Sequence, residues 1–219
     1  MAVGLTRRRI VLASGNPAKL RELQRLLGES FDLVPQNELD IAPIEETGDT
    51  FTENALIKAR HAAAVSQLPA IADDSGLEVD ALGGLPGIRS ARYAGRDATD
   101  DENNEKLLQA LSACAAAERA ARFRCVMVFV VAPDDPSPLI GEGVWEGRIL
   151  DAPRGSGGFG YDPLFLDETS GLTGGELEPD EKNRRSHRGK AARRLCELLD
   201  AGPSGVNLDW VYSQSGRFP

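Results

Sequence analysis

The chain is poor in cysteine. Cys114, Cys125 and Cys196 are widely spaced and form no CxxC pair, which argues against a disulfide framework and a cysteine-built zinc site. All three read as small buried hydrophobes or incidental thiols. A long apolar run near the start is also missing. Behind Arg7, Arg8 and Arg9 the apolar stretch is only IVLA, far short of a signal-peptide core or a membrane span. The sequence therefore predicts a cytoplasmic protein without a membrane partner. Positive charge is scarce as well: 25 Lys and Arg stand against 34 Asp and Glu, a formal net charge of −9. A nucleic-acid partner is not expected, because an acidic surface repels a phosphate backbone. A small phosphorylated ligand needs only a local cluster of cations and a helix N-terminus.

What is present is an ordinary enzyme composition, 41% hydrophobic and 27% charged over 219 residues, enough for one substantial core. RIVLAS at 9–14 is a short apolar run ending at Gly15 and Asn16, which predicts a buried strand entering a tight turn. Asn16 as N-cap, Pro17 at the first helical position, and Leu20, Leu23, Leu26 and Leu27 at helical spacing predict a helix up to Gly28. FDLVP at 31–35 is a second strand. Thr50 to Glu53 forms a capping box for a helix whose apolar face is Ala55, Leu56, Ala59, Ala62, Ala63 and Val65. After Pro69, AIADDSGLEVDAL predicts a short strand whose end carries Asp73 and Asp74 into a Ser75–Gly76 turn. An ordered loop is expected at 83–95, and a second capping box, Thr99 to Glu102, starts a helix ending near Ala117. RFRCVMVFVVAP at 122–133 has the continuous apolar character of a central strand, with LIGEGVWEGRIL at 139–150 pairing antiparallel to it across a polar turn. A Gly-rich loop at 153–165 and a last helix over 188–199 complete the pattern. The fold class is mixed α/β.

Four constellations carry chemistry. Ser14, Gly15, Asn16, Pro17, Ala18 and Lys19 put free N–H groups and a lysine at a helix start, a natural seat for polyphosphate, although a plain capped helix has the same local pattern. The spacing is not that of a Walker A loop. Glu45, Glu46, Asp73 and Asp74 are hard oxygen donors of the kind that hold Mg²⁺ together with substrate phosphates, and a carboxylate there can take a proton from water. The blander alternative for such pairs is solvated surface. GSGGFGYDP at 155–163 can lay backbone beside a ligand while Phe159 stacks on a base. SHRGKA at 186–191, preceded by Lys182, offers donors from His187 and Arg188 to a purine O6 or a phosphate. His61, inside an alanine-rich helix, reads as structural.

Taken singly, none of these motifs fixes a function. In this order, SGNPAKLREL, EETGDTFTENALIKAR, IADDSGLEVDALGGLPGIRSARYAG, GGFGYDP and SHRGKA closely resemble the inosine/xanthosine triphosphate pyrophosphatase family, over about residues 9–199. The resemblance implies an elongated α/β fold with a mixed sheet, flanking helices and two lobes around a central nucleotide-binding cleft. It also implies a homodimer, a small-molecule nucleotide substrate and Mg²⁺. Residue by residue, it assigns Ser14 to Lys19 to the triphosphate, Glu46 and Asp74 to Mg²⁺, and Asp74 to proton acceptance as the catalytic residue. Ser75, Phe159, Gly160, Tyr161, Asp162, Lys182, His187 and Arg188 match the residues that hold the nucleotide and its base. Ala18 departs from the family, which has Gly before the phosphate-loop lysine; in a helical turn the N–H survives, and only a positive-φ requirement would matter. The expected organisation is one domain over 1–200 and a tail over 201–219 outside the resemblance. Two rivals stand beside this reading: a related triphosphate pyrophosphatase preferring pyrimidine or modified bases, and a nucleotide sensor that binds without hydrolysis.

Overall fold

The computed structural model describes residues 8–27 and 31–201; Gly28, expected to end the first helix, and the tail beyond Ala201 lie outside the described residues. Seven strands form one sheet: β1 (Arg8–Leu12), β2 (Phe31–Pro35), β3 (Ala70–Val79), β4 (Ala120–Val130), β5 (Leu139–Ile149), β6 (Phe165–Asp167) and β7 (Leu172–Thr173). Their order is β2-β1-β3-β4-β5-β6-β7. β1 is parallel to β2 and β3, whereas β6 is antiparallel to β5 and β7, so the sheet is mixed, as the α/β reading expects. The helices are α1 (Pro17–Leu27), α2 (Phe51–Ser66), α3 (Asp100–Ala110), α4 (Pro179–Arg185) and α5 (His187–Ala201).

Helix starts follow the local chemistry. Asn16 Oδ1 accepts the Lys19 N–H at 3.3 Å, satisfying a donor that the first turn of α1 cannot pair internally. Both capping boxes form: Thr50 with Glu53, and Thr99 with Glu102, each exchange side-chain and backbone bonds. Ala18 lies in the first turn of α1, where φ is negative, so replacing glycine there imposes no backbone strain.

Several expectations need correction. β3 does not turn at Ser75–Gly76 but runs unbroken from Ala70 to Val79. The Ser-Gly pair is a turn signal only where the backbone has no better partner, and β3 is flanked by β1 on one side and β4 on the other; Leu77 and Val79 beyond it are fully buried. α3 stops at Ala110 rather than near Ala117. The carbonyls of its C-cap Leu111, of Cys114 just beyond and of Leu150 all accept from the Arg119 guanidinium, whose five donors can serve three acceptors at once. Val65 faces solvent rather than the core. Of the cysteines, only Cys125 is buried; all three are free thiols.

By compactness the described chain forms two units of interleaved segments: 8–27, 31–74, 126–142 and 191–201 make the first, and 75–125 and 143–190 the second. β3, β4 and β5 each contribute residues to both. In the first, Ile10, Val11, Leu12, Ala70, Ile71, Ala72, Met127 and Val128 are inaccessible to solvent or nearly so, as are Ala55, Ala59, Ala62 and Ala63 on one face of α2. In the second, the few aromatics concentrate: Phe165 lies 4.7 Å from Phe123 and 4.8 Å from Trp145 between ring centroids, each tilted pair adding about 0.5–1.5 kcal/mol beyond simple burial. Gly147 makes this packing possible, because a Cβ there would run into the Leu166 carbonyl and the Phe165 ring. Gly147→Ala is expected to cost about 1–3 kcal/mol through overpacking, read as a lower urea midpoint with an unchanged m-value.

Candidate active site

The first unit builds a charged centre at the carboxyl end of β1. Parallel pairing sets Leu12 beside Ile71, and the Ala13 N–H extends the ladder by donating to the Ile71 carbonyl at 2.8 Å. β1 then gives way to a turn in which the Asn16 N–H donates to Ser14 Oγ at 3.2 Å, and α1 begins at once. β3 continues past this point with Asp73 and Asp74. The carboxyl ends of parallel strands followed by helix N-termini are where open α/β sheets hold ligands.

Lys19, in the first turn of α1, reaches both carboxylate oxygens of Asp73, at 3.1 and 3.0 Å. Asp73 is 2% exposed, so this ion pair fixes the ammonium rather than leaving it in solution. Asp74 is held by a second lysine. Lys58 Nζ lies 2.8 Å from Asp74 Oδ1 and 2.7 Å from Glu46 Oε1, while Asn54 Nδ2 donates to Asp74 Oδ2 at 3.4 Å. Burial pushes the Asp74 carboxyl above the ordinary carboxylate range, aided by Glu46 and Asp73 and opposed by Lys58. Burial alone would lower the Lys58 ammonium, but Asp74, Asp73 and Glu46 together outweigh it and hold its pKa above the usual value.

Glu46 and Asp74 thus already converge on one cation. Two hard carboxylates fit a Mg²⁺ that takes its remaining ligands from water and phosphate oxygens. Among the described residues no group of three or more His, Cys, Asp or Glu side chains could hold a metal alone. Glu45 is exposed and does not join the centre.

The second unit assembles the aromatic and cationic residues. The Gly-rich loop is tied down: the Gly157 N–H donates to Gly175, the Arg154 N–H to Pro163, and the Phe159 N–H to Asp162 Oδ2 at 2.8 Å. Gly158, at φ 76°, is required, since a Cβ would strike the Asp162 carboxylate. Asp162 also pairs with Lys182. The Phe159 ring is half-buried, with Lys182 Nζ 5.1 Å and the Arg188 guanidinium carbon 5.3 Å from its centroid, both within cation–π range. Arg188 Nη2 donates to Ser75 Oγ at 3.0 Å. Gly160 is anchored on both sides, its N–H donating to Asp100 and its carbonyl accepting from Asn104. Ser186 is fully buried and its Oγ accepts the Gly189 N–H, capping α5 and setting His187 and Arg188 in its first turn. His187 stacks on Phe123 at 4.7 Å.

Tyr161 is the exception to the expected ligand-facing set. Its ring is in the core and its hydroxyl donates to the Ser90 carbonyl at 2.8 Å; it supports the loop from beneath, and burial raises its phenol pKa. His61 is structural as expected, with Nε2 2.8 Å from the Ala42 carbonyl. A concavity of about 320 Å³ lined by Ala94, Gly95, Asp97, Ala98 and Glu102 carries only acidic charge and contains none of the expected site residues. Lys58 and Asn54 escaped the sequence reading. Their signal was there: two polar residues one turn apart on a helix whose buried positions are otherwise mostly alanine.

Fold and charged centre together define an α/β protein with lysines and carboxylates gathered where parallel strands end and a helix begins, the class that holds phosphorylated ligands. The chain belongs to the Ham1 family, whose model matches residues 10–198. A protein of Methylococcus capsulatus named dITP/XTP pyrophosphatase is 60% identical over 91% of this chain and 100% of its own length. One of Vibrio cholerae with the same name is 52% identical over 88% of this chain and 97% of its own. The solved structure of a HAM1 protein from Coxiella burnetii superposes with a TM-score of 0.83 at 50% identity, covering 89% of this chain and 100% of that one. The family resemblance read from the five motifs is therefore borne out.

Lys58→Met removes the shared counter-ion and leaves two partly buried carboxylates facing each other. Stability should fall by about 3 kcal/mol in chelator, and millimolar Mg²⁺ should restore part of it, both read from chemical denaturation.

Proposed function

We propose that the chain hydrolyses non-canonical purine nucleoside triphosphates, ITP, dITP, XTP and dXTP, to the nucleoside monophosphate and pyrophosphate, cleansing the nucleotide pool. The observation that carries this is the convergence of Glu46 and Asp74 on one cation beside a helix start bearing Lys19. Glu46 and Asp74 would hold Mg²⁺, which when bound supplies charge neutralisation on the phosphate oxygens. Ser14, Gly15, Asn16, Pro17 and Ala18 bring the N–H groups of the turn and first helical residues to the triphosphate. Lys19, steadied by Asp73, neutralises charge building on the departing pyrophosphate. Asp74 accepts the proton of the water that attacks the α-phosphorus.

In the same reading the base is held by Phe159, with Gly160 and Asp162 keeping the loop in place and Tyr161 beneath it. Lys182, Ser75, His187 and Arg188 complete the nucleotide contacts. Donors directed at a purine O6 would disfavour adenine, whose amino group leaves them unpaired at about 1–3 kcal/mol each. Neither compact unit is a continuous stretch of chain, which supports treating residues 1–200 as one functional domain. A homodimer and a cytoplasmic location belong to this proposal; no helix among the described residues is long and apolar enough to cross a membrane.

The test is pyrophosphate release with Mg²⁺ from ITP, dITP and XTP against ATP, GTP, CTP and UTP at equal concentration. The first three should dominate, and Asp74→Asn should lower kcat by about 10²–10⁴-fold. Equal rates on all seven would contradict the base selection. Tight ITP binding without turnover would mark a sensor.

A further inference from the structure

We infer that Asn54 is a positioning residue that ties Asp74 to the chain segment following Glu46 and fixes which oxygen of Asp74 faces the cation; the inference rests on the metal role proposed for Glu46 and Asp74. Asn54 is fully buried in the first turns of α2. Its Oδ1 accepts the Gly48 N–H at 2.9 Å and its Nδ2 donates to Asp74 Oδ2. The amide orientation is dictated by chemistry. Gly48 can only donate and an ionised Asp74 can only accept, so a flipped amide would set donor against donor and acceptor against acceptor.

The Gly48 end of this link is rigid. Glu53 Oε2 accepts from the N–H groups of Asp49 and Thr50 at 2.7 and 3.1 Å. Three successive backbone donors, Gly48 to Thr50, are therefore collected by two adjacent side chains of α2. Gly48 lies so close that a Cβ would meet Glu53 Cβ at 2.6 Å and Asn54 Oδ1 at 2.9 Å. The chain segment two residues after Glu46 is thus clamped to α2, and Lys58, one turn beyond Asn54, bridges Glu46 to Asp74. The asparagine occupies Asp74 Oδ2 and leaves Oδ1 as the oxygen turned to Lys58. Partners of this kind behind metal-binding carboxylates orient them and tune their affinity.

Asn54→Leu removes both arms at similar volume, and Asn54→Ser, shorter and polar, serves if the leucine form does not fold. Each variant is compared with the unsubstituted protein in three measurements: kcat and KM for dITP at saturating Mg²⁺, Mn²⁺ affinity by electron paramagnetic resonance with a non-hydrolysable α,β-methylene dITP, and thermal midpoint. The expected result is a loss of about 10–100-fold in kcat and in Mn²⁺ affinity, with KM changed by no more than about 2-fold. A lowered midpoint with Mn²⁺ affinity and kcat intact would overturn the inference and make Asn54 purely structural. If the unsubstituted protein neither bound Mn²⁺ nor released pyrophosphate, the metal reading itself would fall. If it did both and the variants matched it, only the role of Asn54 would fall.

Discussion

The Lys58 ammonium between Glu46 and Asp74 is the contact on which the rest of the charged centre depends. Two carboxylates brought together in partial burial repel each other and lose hydration, a cost of several kcal/mol unless a cation answers both. Lys58 answers both at 2.7 and 2.8 Å. The fold is arranged to make that meeting occur: α2 supplies the lysine, the clamped segment before α2 supplies Glu46, and β3 supplies Asp74. Glu46 and Asp74 are the residues that would hold a divalent cation here, and the carboxylates already lie together to answer positive charge.

β3 sets three consecutive polar residues, Asp73, Asp74 and Ser75, against charged partners. Asp73 fixes Lys19, Asp74 meets Lys58 and Asn54, and Ser75 accepts from Arg188. Asp74 and Ser75 are consecutive residues of this continuous strand. The Gly-rich loop is likewise no flexible appendage, since Asp162 spends its carboxylate on the Phe159 N–H and on Lys182.

What the sequence revealed, and what it hid, follows from the range of the forces involved. The capping boxes at Thr50 and Thr99 and the Asn16–Pro17 start of α1 are contacts within one turn, and each formed where it was expected. β4 was legible because eleven residues of mostly apolar chain leave no other stable state. β6 and β7, at three and two residues, are too short to show any period and exist only because β5 and the intervening loop hold them. The end of α3 was misplaced because the carbonyls of Leu111 and Cys114 that follow it are held by Arg119, a side chain from beyond the helix. Lys19, Glu46 and Asp74 were legible as chemistry-bearing types in local motifs and received their expected roles from the family resemblance, whereas Asn54 and Lys58 needed the fold to bring them to Asp74, 20 and 16 residues away.

In the proposed reaction charge is neutralised on the pyrophosphate side while water attacks the α-phosphorus. Hydrolysis of dITP in ¹⁸O-labelled water, with both products examined by mass spectrometry, tests it most directly. Attack at the α-phosphorus puts one ¹⁸O atom in dIMP and none in pyrophosphate. Label in the pyrophosphate, or labelled orthophosphate in its place, would contradict it.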